Sequence, residues 1–332
     1  MTARLPNSVA TEGGRTHGGT VSSPTKTRIT WRDLPAHVRT AVEAILDDRV
    51  VAAESQPGGF SPGTADRVRT ARGGRAFVKA VSPAQNDRSP AMHRAEARIA
   101  AALPATTPAP RLLGSHDDGE WITLVYADVE GRHPATPWQA TELTAVLSTL
   151  ETMAAALTPA PAVATTAAAE ALAHDFGGWR RIAEEPPADL GPWARAHLDD
   201  LCAAADRGLA ALAGDTLCHL DVRADNLLLG PDGTVTVVDW PWACRGPAWL
   251  DTLLTVVNVQ VYGGHDPDAL LATGPLTAHV DPADLTGALA GFTGFFLDGA
   301  RQPPPPGIPT VRAFQRLQGD ALLPWLARRL GE

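Results

Sequence analysis

The apolar positions change period along the chain, and the changes divide it. From residue 31 to 51, Leu34, Val38, Val42, Ile45 and Leu46 recur at three- to four-residue spacing, which predicts a helix. Short apolar runs bounded by turn residues follow. Residues 50–54 read as a strand, 66–71 and 75–81 as a hairpin around Gly73-Gly74, and 111–115 and 121–126 as a second hairpin turned by Asp117-Asp118-Gly119. Residues 89–103 between the hairpins read as a helix, with Ser89 as its cap, Pro90 in the first turn and Pro104 as its stop. Beyond residue 127 the period is helical. A helix opening at Pro137 carries the stripe Leu143, Val146, Leu147, Leu150, Met153 and Leu157. Further helices are expected over 167–173, 193–212, 248–261, 281–298 and 311–330. One hairpin interrupts them, 227–229 and 235–238 around Pro231-Asp232-Gly233. The pattern is α+β: a small antiparallel-sheet lobe at 29–127, a mostly helical lobe at 128–332, and a polar stretch at 1–28 expected to be a disordered tail.

Composition narrows this picture. The chain has 332 residues, enough for two lobes with a sizeable core. Three cysteines, Cys202, Cys218 and Cys244, make an odd, sparse set that suggests a reducing compartment rather than a disulfide framework. No apolar run reaches the roughly 20 residues of a membrane helix. The polar first thirty residues lack the apolar segment of a signal peptide. A cytoplasmic protein without membrane contact, monomeric or weakly dimeric, is expected. The formal net charge of −9 argues against nucleic acid as a partner, because phosphate binding needs a basic face. It fits a cationic or neutral small molecule, and equally a mild excess that only aids solubility. Of 28 basic residues only Lys26 and Lys79 are lysines. Lys79 therefore stands alone in the predicted folded body, on an apolar strand, where a compact point charge is not replaced by the planar fork of arginine.

The candidate chemistry lies at the late hairpin. Residues 218–240 read C-H-L-D-V-R-A-D-N-L-L-L-G-P-D-G-T-V-T-V-V-D-W. Asp221 precedes Asn226 by five residues on a loop entering the first strand, and Asp239 leaves the second. A hairpin brings its ends together, so two carboxylates and an amide meet at one place. A metal site of His219, Asp221, Asp225 and Asp239 is a competing reading of the same residues. Further upstream, Pro57-Gly58-Gly59-Phe60-Ser61-Pro62-Gly63 would alone be a surface turn. It lies between two strands and before Lys79, and its glycines would let backbone N–H groups approach a ligand closely.

The order H-x-D-x-x-x-x-N followed by Asp-Trp across a hairpin resembles the catalytic loop and metal motif of kinases. With Asp239-Trp240 lacking a following Gly, it resembles the aminoglycoside phosphotransferase and choline kinase branch of the protein-kinase-like fold. That resemblance implies ATP (or GTP) and Mg²⁺ as cofactors and a small-molecule hydroxyl acceptor, an aminoglycoside or another amino compound among the candidates. Asp221 would be the catalytic base, and Arg223 would stabilise the transferring phosphoryl group or pair with a nearby carboxylate. Gly58, Gly59, Ser61, Gly63, Lys79 and Glu96 would bind nucleotide, with Glu96 the helix partner of Lys79. Asn226 and Asp239 would hold the metal. His219 would shape the loop, Asp225 would cap or turn it, Asp251 would brace it, and 127–131 would form the hinge between lobes. Eight acidic residues against four arginines over 160–214 suit a cationic acceptor. Two alternatives stand beside this reading. One is a catalytically silent kinase-fold binding module. The other is a Ser/Thr protein kinase, which the missing Asp-Phe-Gly and Ala-Pro-Glu segments oppose.

Overall fold

The computed structural model describes residues 28–57 and 62–331, so the expected tail falls almost wholly outside the described residues. The first lobe is a five-stranded antiparallel sheet of β1 (Val50–Ser55), β2 (Thr64–Thr70), β3 (Arg75–Val81), β4 (Leu112–Asp117) and β5 (Ile122–Ala127), in the order β1-β2-β3-β5-β4. Gly73 and Gly119 turn the two expected hairpins at φ +87° and +92°, where a side chain would be strained.

Alternation along β3 sends its two sets of side chains to different partners. Ala76, Val78 and Ala80 pack with Val38 and Val42 of α1 (Ala36–Leu46) and with Trp31. Phe77 and Val81 pack with Leu124 and Tyr126, under α2 (Ser89–Ala102). Lys79 belongs to this second set and is thereby aimed into the cleft below the sheet. The helix expected over 31–51 is shorter than its apolar stripe. Pro35 separates a 3-10 turn, Trp31–Asp33, from α1, and Asp47 at φ +49° ends α1. At α2 the expected cap is corrected. Ser89 is already helical, and Asn86 Oδ1 accepts from the backbone N–H groups of Arg88 and Ser89, both at 3.0 Å.

The connection out of β5 is pinned at both ends. Asp128 accepts from Arg67 at 2.7 Å and Arg75 at 2.8 Å, and Arg132 exchanges two backbone hydrogen bonds with Leu229. The second lobe contains α3 (Ala140–Ala156), α4 (Ala168–Ala171), α5 (Ala173–Phe176), α6 (Gly178–Glu184), α7 (Pro192–Ala196) and α8 (Leu198–Ala210). Four short strands follow, β6 (Thr216–Cys218), β7 (Leu227–Leu229), β8 (Val235–Val237) and β9 (Cys244–Gly246). The chain ends in α9 (Leu250–Tyr262), α10 (Pro267–Thr273), α11 (Pro282–Ala300) and α12 (Val311–Arg329). Trp179, Trp325, Leu201, Leu253 and Leu289 are among the side chains that fill the core between α6, α8, α9, α11 and α12. Gly208 of α8 and Gly287 of α11 allow those helices to touch: a Cβ on Gly208 would lie 2.1 Å from the Gly287 carbonyl carbon. The architecture is α+β and two-lobed, and among the described residues no helix is long and apolar enough to cross a membrane.

Candidate active site

The late hairpin forms as its sequence demands. Leu227, Leu228 and Leu229 pair with Val237, Thr236 and Val235, and Gly233 takes the turn at φ +83°. Its open end carries the residues of interest. Val238 donates from its backbone to the Asn226 carbonyl at 2.9 Å, so Asn226 and Asp239 are held as neighbours.

The loop between β6 and β7 is fixed by buried polar contacts. Asp251, at the start of α9, accepts from the backbone N–H of His219 at 2.8 Å and of Leu220 at 2.9 Å. Burial raises its carboxyl to about 6, against those two donors. His219 is fully buried, and burial lowers its imidazole to about 4, so the ring is neutral near pH 7. Its Nδ1 accepts from the Asp221 N–H at 3.2 Å, which leaves Nε2–H to donate to the Val238 carbonyl at 3.0 Å. The ring meets Trp240 edge-on at 4.8 Å. Both ring nitrogens are occupied, so His219 shapes the loop. Among the described residues no group of three or more His, Cys, Asp or Glu side chains forms a metal cage, which removes the competing four-residue metal reading.

Asp221 has both carboxylate oxygens engaged. Arg223 Nη1 donates to Oδ1 at 2.7 Å, and Asn226 Nδ2 donates to Oδ2 at 2.9 Å and to the Asp221 carbonyl at 2.8 Å. Burial nevertheless pushes the carboxyl up to about 7. Asp239 and Asp225 push the same way, while Arg223 and Asn226 pull against them. Arg223 is also bidentate to Asp225, with both bonds at 2.9 Å, and its guanidinium lies 5.4 Å from the ring centre of Phe314 on α12. Asp225 is thus the partner of Arg223.

From the other lobe, Lys79 bridges the site. Its ammonium lies 2.6 Å from Glu96 Oε2 on α2 and 2.6 Å from Asp239 Oδ1. These carboxylates outweigh the effect of burial and raise its pKa, so it is charged. Burial raises Asp239, but Lys79 outweighs it, and the carboxyl is held at about 2. Tyr126 donates to Glu96 Oε1 at 3.0 Å. Sequence reasoning missed this phenol, because a strand aromatic next to Leu124 reads as core. It also missed Asn258, whose Oδ1 accepts from Trp138 Nε1 at 3.2 Å and from the Ala224 N–H at 3.3 Å.

Two residues of the site, Leu220 at φ +68° and Asp239 at φ +70°, sit in the left-handed region without being glycine. Of the glycine-rich stretch, Gly58, Gly59 and Ser61 lie outside the described residues. Gly63 is described, and packing accounts for it, since a Cβ there would lie 2.4 Å from the Ala80 carbonyl oxygen.

The donors fit a hard cation. Among the described residues no hydrogen bond reaches Asp239 Oδ2 or Asn226 Oδ1, and the Asp239 side chain is 42% exposed. One anionic and one neutral oxygen, open to a cleft, are the donor types that a hard divalent cation takes.

Comparison with known proteins follows the same line. The structure is similar to choline kinase LicA from Streptococcus pneumoniae, with a TM-score of 0.59, 14% identity, and coverage of 89% of this chain and 97% of that one. It is similar to a thermostable mutant of aminoglycoside phosphotransferase APH(4)-Ia solved with ADP and hygromycin B, at a TM-score of 0.56 and 15% identity, covering 90% of this chain and 100% of that one. It is also similar to a choline/ethanolamine kinase family protein from Mesorhizobium loti, at 0.58 and 13%, covering 89% and 94%. No curated protein matches the sequence. These likenesses establish a shared fold. The model of the phosphotransferase enzyme family matches residues 57–285, more than half of the chain, and the chain therefore belongs to the phosphotransferase enzyme family.

Proposed function

We propose that the protein is an ATP-dependent O-phosphotransferase that moves the γ-phosphate to a hydroxyl of a small molecule, with aminoglycosides and other amino compounds as the first acceptors to test. The observation that carries this reading is the meeting of the two lobes at Lys79 and Asp239, 2.6 Å apart, beside an Asp221 held 2.9 Å from Asn226. The nucleotides and the antibiotic named for solved relatives support it as the chemistry of the same fold.

In this reading residues 29–127 form the nucleotide lobe, and 128–332 carry the catalytic loop and the acceptor site. The loop containing Gly58, Gly59, Ser61 and Gly63 lies over the phosphates. Lys79, oriented by Glu96 and Tyr126, places its charge on them. Asp221 faces the acceptor hydroxyl, aligns it, and takes its proton late in transfer. A carboxyl raised to about 7 by burial is poised for that task near neutral pH. Arg223 fixes Asp221 through one ion pair and keeps positive charge beside the transferring group. Asp239 and Asn226 would hold Mg²⁺, which would supply positive charge against the phosphate oxygens. GTP remains the second nucleotide to assay.

The test is a nucleotide-consumption screen of the purified protein over hydroxylated amines, sugars and antibiotics. Acceptor-dependent release of ADP or GDP supports the reading. Absence of turnover with every class, together with absence of nucleotide binding, overturns it.

A further inference from the structure

Two polar side chains of α9 meet the loop between β6 and β7 from one face of the helix. Asp251 and Asn258 are two helical turns apart, about 10 Å along the axis, and both are buried. A buried amide costs free energy unless it is hydrogen-bonded. Asn258 Oδ1 accepts from the Ala224 N–H at 3.3 Å and from Trp138 Nε1 at 3.2 Å. Two donors converging on one atom identify it as the amide oxygen. Ala224 opens the 3-10 turn Ala224–Asn226, and an N–H at the start of a turn has no partner within it. Asn258 supplies that partner. At the other end of the loop Asp251 accepts from the N–H groups of His219 and Leu220. The helix thus grips the loop at 219–220 and again at 224. Asp221 and Arg223 lie between the two grips, and Asn226 closes the turn with its N–H on the Arg223 carbonyl at 2.9 Å.

We propose that Asn258 is a positioning residue for phosphoryl transfer, setting the turn that carries Arg223 and Asn226 against Asp221. The proposal rests on the phosphotransferase reading of the site and adds a second support to the one Asp251 gives. Arg223 and Asn226 each hold one carboxylate oxygen of Asp221, so a turn that drifts releases the proposed base on both sides. A misplacement of about 1 Å at a reacting group can cost on the order of 100-fold in rate. Trp138 depends less on the shared oxygen. Its own N–H donates to the Gly263 carbonyl at 3.0 Å, and a Cβ on Gly264 would lie 2.4 Å from its carbonyl oxygen, so the backbone already fixes it to the end of α9.

Asn258→Leu keeps the approximate volume and removes the acceptor. The full chain is assayed for Mg·ATP consumption, with the acceptor found in the screen or with water alone, and for ADP affinity by calorimetry. In Asn258→Leu kcat should fall by about 10- to 100-fold while the Kd for ADP stays nearly unchanged. Asn258→Asp keeps an oxygen at the same place and should recover most of the loss. Trp138→Phe removes only the other donor and should keep kcat near wild type. If Asn258→Leu fails to fold, Asn258→Gln, which displaces the acceptor by one methylene, should show the same split. An unchanged kcat in the variant that folds overturns the proposal and leaves the phosphotransferase reading standing. Parallel losses of kcat and ADP affinity, or a loss that Asn258→Asp does not recover, overturn it by reducing Asn258 to packing. A loss in Trp138→Phe as large as in Asn258→Leu overturns it by moving the effect to Trp138. A wild-type protein that binds no nucleotide, or binds it and transfers to no acceptor, overturns the reading of the site and the proposal with it.

Discussion

Replacing Asp221 by Asn keeps the size of the side chain and removes its titration. As the proposed base, Asp221 acts only when ionised. Burial places its carboxyl at about 7, so kcat/KM should rise about tenfold per pH unit below 7 and level off above it. The variant should lose that limb, and its kcat should fall by about 10²-fold or more, with nucleotide affinity nearly unchanged. Stability gives an independent measure. A carboxyl with a raised folded pKa favours the fold below its unfolded value near 3.8, and that contribution is lost as pH rises through 7. The gap of about three units corresponds to an upper bound on the order of 4 kcal/mol. The difference in Tm between Asp221→Asn and wild type should therefore be more favourable to the variant at pH 9 than at pH 5.5. Steady-state transfer assays from pH 5.5 to 9, with thermal melts at both ends, make the measurement. An unchanged acid limb in the variant, or a Tm difference independent of pH, would refute the argument.

Three further outcomes follow from the same contacts. Lys79→Arg keeps the charge but must fit a larger fork between Glu96 and Asp239, each 2.6 Å away, so kinetics with ATP varied should show a clear defect. Asp239→Ala should abolish Mg²⁺-dependent turnover while circular dichroism shows an intact fold; turnover within a few-fold of wild type contradicts the metal assignment. Gly208→Val should destabilise the protein by about 2 kcal/mol or more in a denaturant melt, because a Cβ there would lie 2.1 Å from the backbone of α11.

The hairpin at the centre of the site was legible because its apolar runs and its Pro231-Asp232-Gly233 turn are local signals. Even so, Val238 leaves the ladder and spends its N–H on the Asn226 carbonyl, the bond that sets Asn226 beside Asp239. Lys79 was legible because the chain has almost no other lysine. The supports of these residues were less legible, since they depend on distant partners. Tyr126 reaches Glu96 across thirty residues, and Asn258 reaches Ala224 across thirty-four. Asp251 was expected to brace the loop only through the family resemblance. α10 was missed because Pro267 and Gly274 frame too short a segment to show a period. Gly63 invited a phosphate role, while its tight contact with the β3 backbone gives a packing reason for glycine. The left-handed backbone of Leu220 and Asp239 had no sequence signal, because Leu disfavours that region and Asp, which enters it more readily, gives no sign of where it does so. Leu220 is held there by Asp251 through its own N–H, and Asp239 by the Val238 bond before it and the Lys79 ion pair beyond it. Local propensity thus yields to tertiary contacts at these two positions, one next to the proposed base Asp221 and the other the proposed metal ligand Asp239 itself.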